Sequence, residues 1–225
     1  MQSLWFFNTY IKTYDHWLSN ILNQGRYTWR HDNVLHCLVK DIQLLLDRVN
    51  SSTPQSHNIK NAFINFVKEG GQPKKGKSAY KPGLLFTAND WILVYDTTYN
   101  PLMFPPHIMQ TSLRPDLVIY SNNTKQVILL ELTVPTEDNI VQWHVKKEDK
   151  YEKLIDDIRM NQWRGYVFGI EVGSRGYVAK SLGFALGKLG LGQSAIKSLR
   201  KNVSLICLRS SYLIYMSRKI TVWRP

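Results

Sequence analysis

Two acidic residues set in apolar surroundings carry the chemistry that this sequence offers. Asp116 precedes the β-forming run Leu117-Val118-Ile119. Glu131 lies inside a second run, Val127-Ile128-Leu129-Leu130, which follows the polar turn Ser121-Asn122-Asn123-Thr124. The pattern predicts a β-hairpin with one acid at the start of its first strand and the other within its second. A carboxylate inside so apolar a strand is costly to bury unless a cation answers it. Two that converge form a seat for a hard divalent cation.

Side chains alternate along a strand, so Val127, Leu129, Glu131 and Thr133 share one face and Ile128, Leu130, Leu132 and Val134 the other. Glu131 therefore interrupts a face that is otherwise built for burial. After a turn at Pro135 to Asp138, Ile140, His144, Lys147, Tyr151, Leu154 and Ile158 recur at helical spacing and form one stripe. Lys147 falls on that inward stripe, whereas Lys146, Lys150 and Lys153 fall off it. An ammonium on the apolar side of a helix, soon after a buried acid, is aimed at a charged site. Each residue alone has a plainer reading. Pro115-Asp116 suits a turn, Glu131 a structural ion pair, Lys147 a snorkelling side chain and His31 a capping or core histidine. The constellation outweighs its parts.

The same residues carry a family resemblance. The segment resembles the PD-(D/E)xK restriction-like nucleases, and most closely the endonuclease domain of site-specific non-LTR retrotransposon proteins. Pro115-Asp116 matches the PD and Glu131 the second acid. The wider superfamily has a lysine two residues after that acid, where this chain has Thr133. The retrotransposon subgroup instead has a lysine four residues before a tyrosine on the next helix, as Lys147 and Tyr151 are placed. Trp29-Arg30-His31-Asp32-Asn33 is similar to the subgroup's basic-His-Asp/Asn motif, and Glu171-Val172-Gly173-Ser174-Arg175-Gly176-Tyr177 also looks like that subgroup. The resemblance spans about residues 25–190, and motifs in a shared order are more specific than any one of them.

It implies an α/β, restriction-endonuclease-like mixed sheet flanked by helices, with helical additions at both ends. It also implies a metal-dependent DNA endonuclease. Asp116, Glu131 and the backbone carbonyl of Leu132 would hold Mg²⁺ or Mn²⁺, and Lys147 would orient a water or neutralise the phosphate. Tyr151 would hold Lys147 or touch the phosphate, and Arg30 and His31 would grasp phosphate or place a proton. Glu171 is set aside as a structural acid. The alternative is an inactive nucleic-acid-binding module descended from such a nuclease. Expected partners are DNA, retroelement RNA, a second copy of the chain and a reverse transcriptase, in the nucleus. The related proteins carry a zinc knuckle and a reverse transcriptase upstream, so the chain is expected to be a piece of one or a stand-alone derivative.

Composition agrees with a polyanion partner. The 225 residues carry a net charge of +12 with 44% hydrophobic residues, enough to bury a core. After Glu171 there is no acid, while Arg175, Lys180, Lys188, Lys197, Arg200, Lys201, Arg209, Arg218, Lys219 and Arg224 are all basic. Such a one-signed field attracts nucleic acid. Arg175, Lys197, Arg200 and Lys201 are candidate contacts, as are Lys74, Lys75 and Lys77 in the basic loop 72–81, which equally suits a solubilising role. Cys37 and Cys207 are too few and too far apart for a disulfide framework or a cysteine zinc site. No apolar stretch approaches the ~20 residues a bilayer needs, so no membrane partner is expected. The start, MQSLWFF, suits a packed helix better than a signal peptide.

Three segments follow: an N-terminal helical segment over 1–24, the nuclease-like domain over 25–190 and a basic helical extension over 191–225. A helix with apolar stripe Leu35, Leu38, Ile42, Leu45 and Val49 runs from the His31 motif to about Val49. Residues 51–57 are expected as loop and 59–67 as a short helix. Residues 91–96 are expected as a strand beside the hairpin and 101–106 as a proline-rich connector. The Lys147 helix should end near Gln162, with a strand over 163–172 and a helix over 177–189. The last helix is expected over 194–219, with 203–208 open to an extended form.

Overall fold

The structure is a computed structural model that describes residues 25–52, 83–98 and 100–219. The expected N-terminal helix, the short helix at 59–67 and the loop with Lys74, Lys75 and Lys77 lie outside the described residues, as do most of the 51–57 loop and Arg224.

Helix α1 (Arg26–Ser51) follows Gly25, whose φ of 74° is a left-handed value that glycine adopts freely. Val34, Leu35, Leu38, Ile42, Leu46 and Val49 form its buried stripe. Leu46, one turn after Ile42, takes the fully buried place that the sequence pattern assigned to Leu45, which is half-buried. The four strands are β1 (Trp91–Tyr95), β2 (Leu117–Ser121), β3 (Gln126–Thr133) and β4 (Arg164–Glu171). They pair in the order β1-β2-β3-β4, antiparallel up to β3 and parallel between β3 and β4. That parallel pair needs a crossover, which helix α2 (Ile140–Met160) supplies. Helices α3 (Lys180–Leu189) and α4 (Gln193–Met216) complete the chain.

Every residue of β2 and β3 is buried, as expected of strands covered on both faces. On one face Leu117, Ile119, Ile128, Leu130, Leu132 and Ile170 pack against α1, α3 and α4. On the other, Val118, Tyr120, Val127 and Leu129 meet Tyr151, Leu154, Ile155 and Ile158 of α2, together with Leu102 and Phe104 of the connector and Ile108 just after it. At about 1.5–3 kcal/mol for each large apolar side chain buried, these two layers dominate the fold's stability. The α/β class with a mixed four-stranded sheet flanked by helices is as expected.

Three differences have physical causes. Helix α3 begins at Lys180 rather than Tyr177, because Val178 pairs with Val172 as an isolated antiparallel bridge. The stretch 203–208 is helical throughout, with Val203 and Cys207 buried one turn apart. The C-terminal segment is no appendage, since Ile196, Leu199, Val203 and Cys207 enter the same core as α1. The 173–176 turn is fastened to α4 as well. Cys207 Sγ donates to Gly173 O (3.2 Å), Ser204 Oγ to Gly176 O (2.6 Å) and Ser211 Oγ to Ser174 O (2.5 Å). Among the described residues no helix is long and apolar enough to cross a membrane.

Candidate active site

Asp116 stands one residue before β2, where its backbone carbonyl accepts from the N–H of Asp96 at 2.9 Å. Its side chain turns towards β3, and Oδ2 accepts the N–H of Leu132 at 2.6 Å. Glu131 occupies the α2 side of β3, as the alternation requires, and is only 2% exposed. Its Oε2 accepts the N–H of Asp116 at 3.3 Å, and its Oε1 takes the Lys147 ammonium from α2. The two acids and the lysine therefore meet at one end of the hairpin. Burial pushes the Glu131 carboxyl upward, the negative charge of Asp116 adds to this, and Lys147 opposes both.

His31 reaches the same place from α1. Its Nε2 lies 3.4 Å from Asp116 Oδ1 and 3.3 Å from the carbonyl oxygen of Leu132. Its Nδ1 lies 3.3 Å from Asp32 Oδ1, while Asp32 Oδ2 accepts from the N–H (3.1 Å) and hydroxyl (2.7 Å) of Thr98. Burial is the largest single influence on His31 and pulls its pKa down. Hydrogen bonds and charges from Asp116 and Asp32 outweigh it and raise the pKa from 6.5 to about 10. At neutral pH the ring is an imidazolium that donates from both nitrogens.

That imidazolium bears on whether the residues suit a divalent ion. Asp116 Oδ1 and Leu132 O both point at one cationic atom, His31 Nε2. The donors are oxygens only, as hard cations prefer. Thr133 Oγ1, on the same strand face as Glu131, is buried without a protein partner. The set fits Mg²⁺ or Mn²⁺. Among the described residues no three His, Cys, Asp or Glu side chains are grouped as a metal site. A seat here would consist instead of two carboxylates and a main-chain carbonyl.

Tyr151 is fully buried beneath this cluster. Its hydroxyl donates to Arg114 O at 3.1 Å and accepts from Lys150 Nζ at 2.8 Å. Burial, then the charge of Glu131, drives its phenol pKa upward. Lys150 was expected off the inward stripe, yet its ammonium lies 3.9 Å from Glu131 Oε1. A four-carbon stem lets it reach back over the helix edge.

Other expected site residues are placed elsewhere. Arg30 is buried; it donates to Ser211 Oγ and to Val134 O, both at 3.0 Å, and lies over the Tyr27 ring. This ties α1 to α4 and to the end of β3 and replaces the expected phosphate contact. Arg175 is paired with Glu137, Nε to Oε2 at 2.7 Å. Arg200 donates to Val178 O at 3.0 Å, while Lys197 and Lys201 are exposed on α4.

A second polar group borders the acids. Glu171, at the end of β4, is 3% exposed; it accepts from Ser181 Oγ and lies 2.7 Å from His144 Nδ1 on α2. Sequence reasoning left Glu171 as structural and placed His144 only on a helix stripe. The signal that joins them, an acid and a histidine on the same sheet face, requires the β3–β4 register. Comparison of the chain with protein-family models and with curated proteins finds no match.

Proposed function

We propose that the chain is a metal-dependent DNA endonuclease of the restriction-like kind, related to those of non-LTR retrotransposons. The observation that carries this reading is the meeting of Asp116, Glu131 and Lys147 at one end of the hairpin, where His31 bridges Asp116 to the Leu132 carbonyl. The mixed sheet flanked by helices is an arrangement that such a domain would use.

Asp116, Glu131 and the Leu132 carbonyl would hold Mg²⁺ or Mn²⁺. When bound, the ion supplies Lewis acidity, which acidifies a water and offsets phosphate charge. The remaining work falls to side chains. Lys147 keeps Glu131 ionised in its buried position and presents positive charge to the phosphate as negative charge builds there. His31 holds the Asp116 carboxylate and the Leu132 carbonyl in one orientation. Tyr151 closes the floor of the site and keeps water from beneath the acids. Exposed Lys197 and Lys201 on α4 supply sequence-independent affinity for the backbone. DNA is the substrate, retroelement RNA and a reverse transcriptase are further partners, and a second copy serves the second strand.

The second reading, a binding module without catalysis, is favoured by one observation: Thr133 stands where the wider superfamily has its lysine. One experiment separates the two. Purified protein is incubated with plasmid DNA in Mg²⁺, Mn²⁺ or EDTA, beside Asp116→Ala and Glu131→Ala. Metal-dependent nicking lost in both variants, with salt-sensitive binding kept, is the expected result. A gel shift without nicking in the wild type selects the binding module, and normal cutting by both variants removes the site.

A further inference from the structure

Helix α4 turns an apolar stripe to solvent. Leu205, Leu208, Tyr212 and Met216 follow one another at intervals of three and four residues, so they share one side of the helix. The buried Val203, Cys207 and Ile214 occupy the opposite side. Leu205 is 40% exposed and Tyr212 58%, with Leu208 and Met216 between them. The stripe runs for about 16 Å and starts abruptly. Before Leu205 the same side of α4 carries Ser194, Lys197 and Lys201, all exposed. A row of large apolar side chains rimmed by polar ones marks a surface that another segment covers.

The position of the stripe points to its occupant. Helices α1 and α4 run antiparallel. Arg30 and Asn33 donate to Ser211 and Ser210 at 3.0 and 3.3 Å, whereas Leu45 and Arg48 line one cavity with Ala195 and Ser198. Gly25, just before α1, therefore lies beside the end of α4 that bears the stripe, and residues 1–24 join the described residues there. Its φ of 74° and ψ of 2° are left-handed values with which a chain commonly leaves one helix and turns into the next. The exposed side of α4 is within reach. About four extended residues span roughly 13 Å, more than the ~10 Å width of a helix.

Residues 1–24 also have the matching composition. Leu4, Phe7, Ile11, Tyr14 and Leu18 recur at alternating intervals of three and four, the spacing of a seam between paired helices. Only Lys12 and Asp15 in this segment carry a formal charge. A second copy suits the stripe less well, because a twin α4 would bring Arg209 and Lys219 towards charges of their own sign. We propose that residues 1–24 dock on the outer side of α4 and cover Leu205, Leu208, Tyr212 and Met216. This docking does not depend on the nuclease reading.

Two measurements on the full chain test this. In the first, Tyr212 is replaced by photoreactive benzoylphenylalanine, and dilute protein is irradiated and digested. The expected cross-link joins position 212 to a peptide from residues 1–24 of the same chain. A cross-link only to residues 220–225, only to a second chain, or to nothing overturns the proposal. The second treats the wild type with peroxide and follows each methionine by mass. Met103 and Met160 are 85% and 79% exposed, and Met216 56%. Thioether oxidation follows exposure, so under residues 1–24 Met216 should oxidise about 10-fold more slowly than the other two. Rates within a few-fold of one another overturn the proposal. Ile11→Glu with Leu18→Glu should bring Met216 to the rate of Met103, while buried Cys207 stays shielded from alkylation. Protection that survives this double variant, or that vanishes when the wild type is diluted, belongs to another occupant and overturns the proposal. If Cys207 becomes reactive the variant has lost its fold, and the cross-link and the wild-type rates decide.

Discussion

His31 on α1 and Asp116 at the mouth of β2 meet across the sheet, Nε2 to Oδ1 at 3.4 Å. The contact joins the first long helix to the hairpin that carries the acids, and its strength depends on a proton. The folded-state pKa of His31 is about 10, above its ordinary 6.5. A histidine raised on folding adds stability that is complete below the unfolded value and is lost as pH climbs to the folded one. In EDTA, the melting temperature should therefore decline between about pH 7 and pH 10. His31→Gln should flatten that decline. Calorimetry across the range checks it, and equal slopes in the two proteins reject it.

Lys147→Met should destabilise the fold by about 3 kcal/mol, because it leaves Glu131 buried without its ammonium. Glu131→Gln should cost less, and the double variant should recover much of the loss. Burial and Asp116 already raise the Glu131 pKa, and losing Lys147 raises it further. An acid raised on folding gains stability as pH falls, so the deficit of Lys147→Met should narrow in acid. Urea titrations at neutral and acidic pH, arranged as a double-mutant cycle, measure both effects. An additive cycle would count against a direct pair.

Tyr151→Phe removes a buried hydroxyl that links Arg114 and Lys150. The expected loss is about 2 kcal/mol, since the ring stays while a neutral hydrogen bond to Arg114 and a charge-assisted one from Lys150 go. Cleavage should fall less than in Glu131→Ala. A collapse of activity without loss of stability would give the hydroxyl a direct part in the reaction.

Lys197→Ala with Lys201→Ala should weaken DNA binding alike for all sequences. Each lysine that touches a phosphate contributes about 0.9 to the slope of log affinity against log salt, so the slope should shrink accordingly. Fluorescence anisotropy in EDTA over a range of salt reads this directly. An unchanged slope removes α4 from the interface.

What the sequence could and could not reveal follows from how each contact is made. The side of β3 that bears Glu131 was legible, because alternation is a local rule that Val127 and Leu129 obey beside it. So was the inward turn of Lys147, fixed by the stripe it shares with Tyr151 and Leu154. Lys150 was missed because spacing describes where a stem begins, not where a long chain ends. Arg30 was assigned to phosphate because its burial depends on Ser211, a residue distant in sequence on α4. The His144–Glu171 pair was hidden for a related reason: nothing local announces which strands will lie in parallel. Helix α3 starts late because Val178 is claimed by a bridge to Val172, a pairing that no propensity records.

The 173–176 turn has a mechanical consequence. It is bonded to α4 through Ser204, Cys207 and Ser211, and Arg175 within it grips Glu137, just ahead of α2. A load borne by the basic helix passes through this coupling to the base of the helix that carries Lys147 and His144. Basic helix and acid cluster are thus geared together, so loosening the turn would slacken both at once.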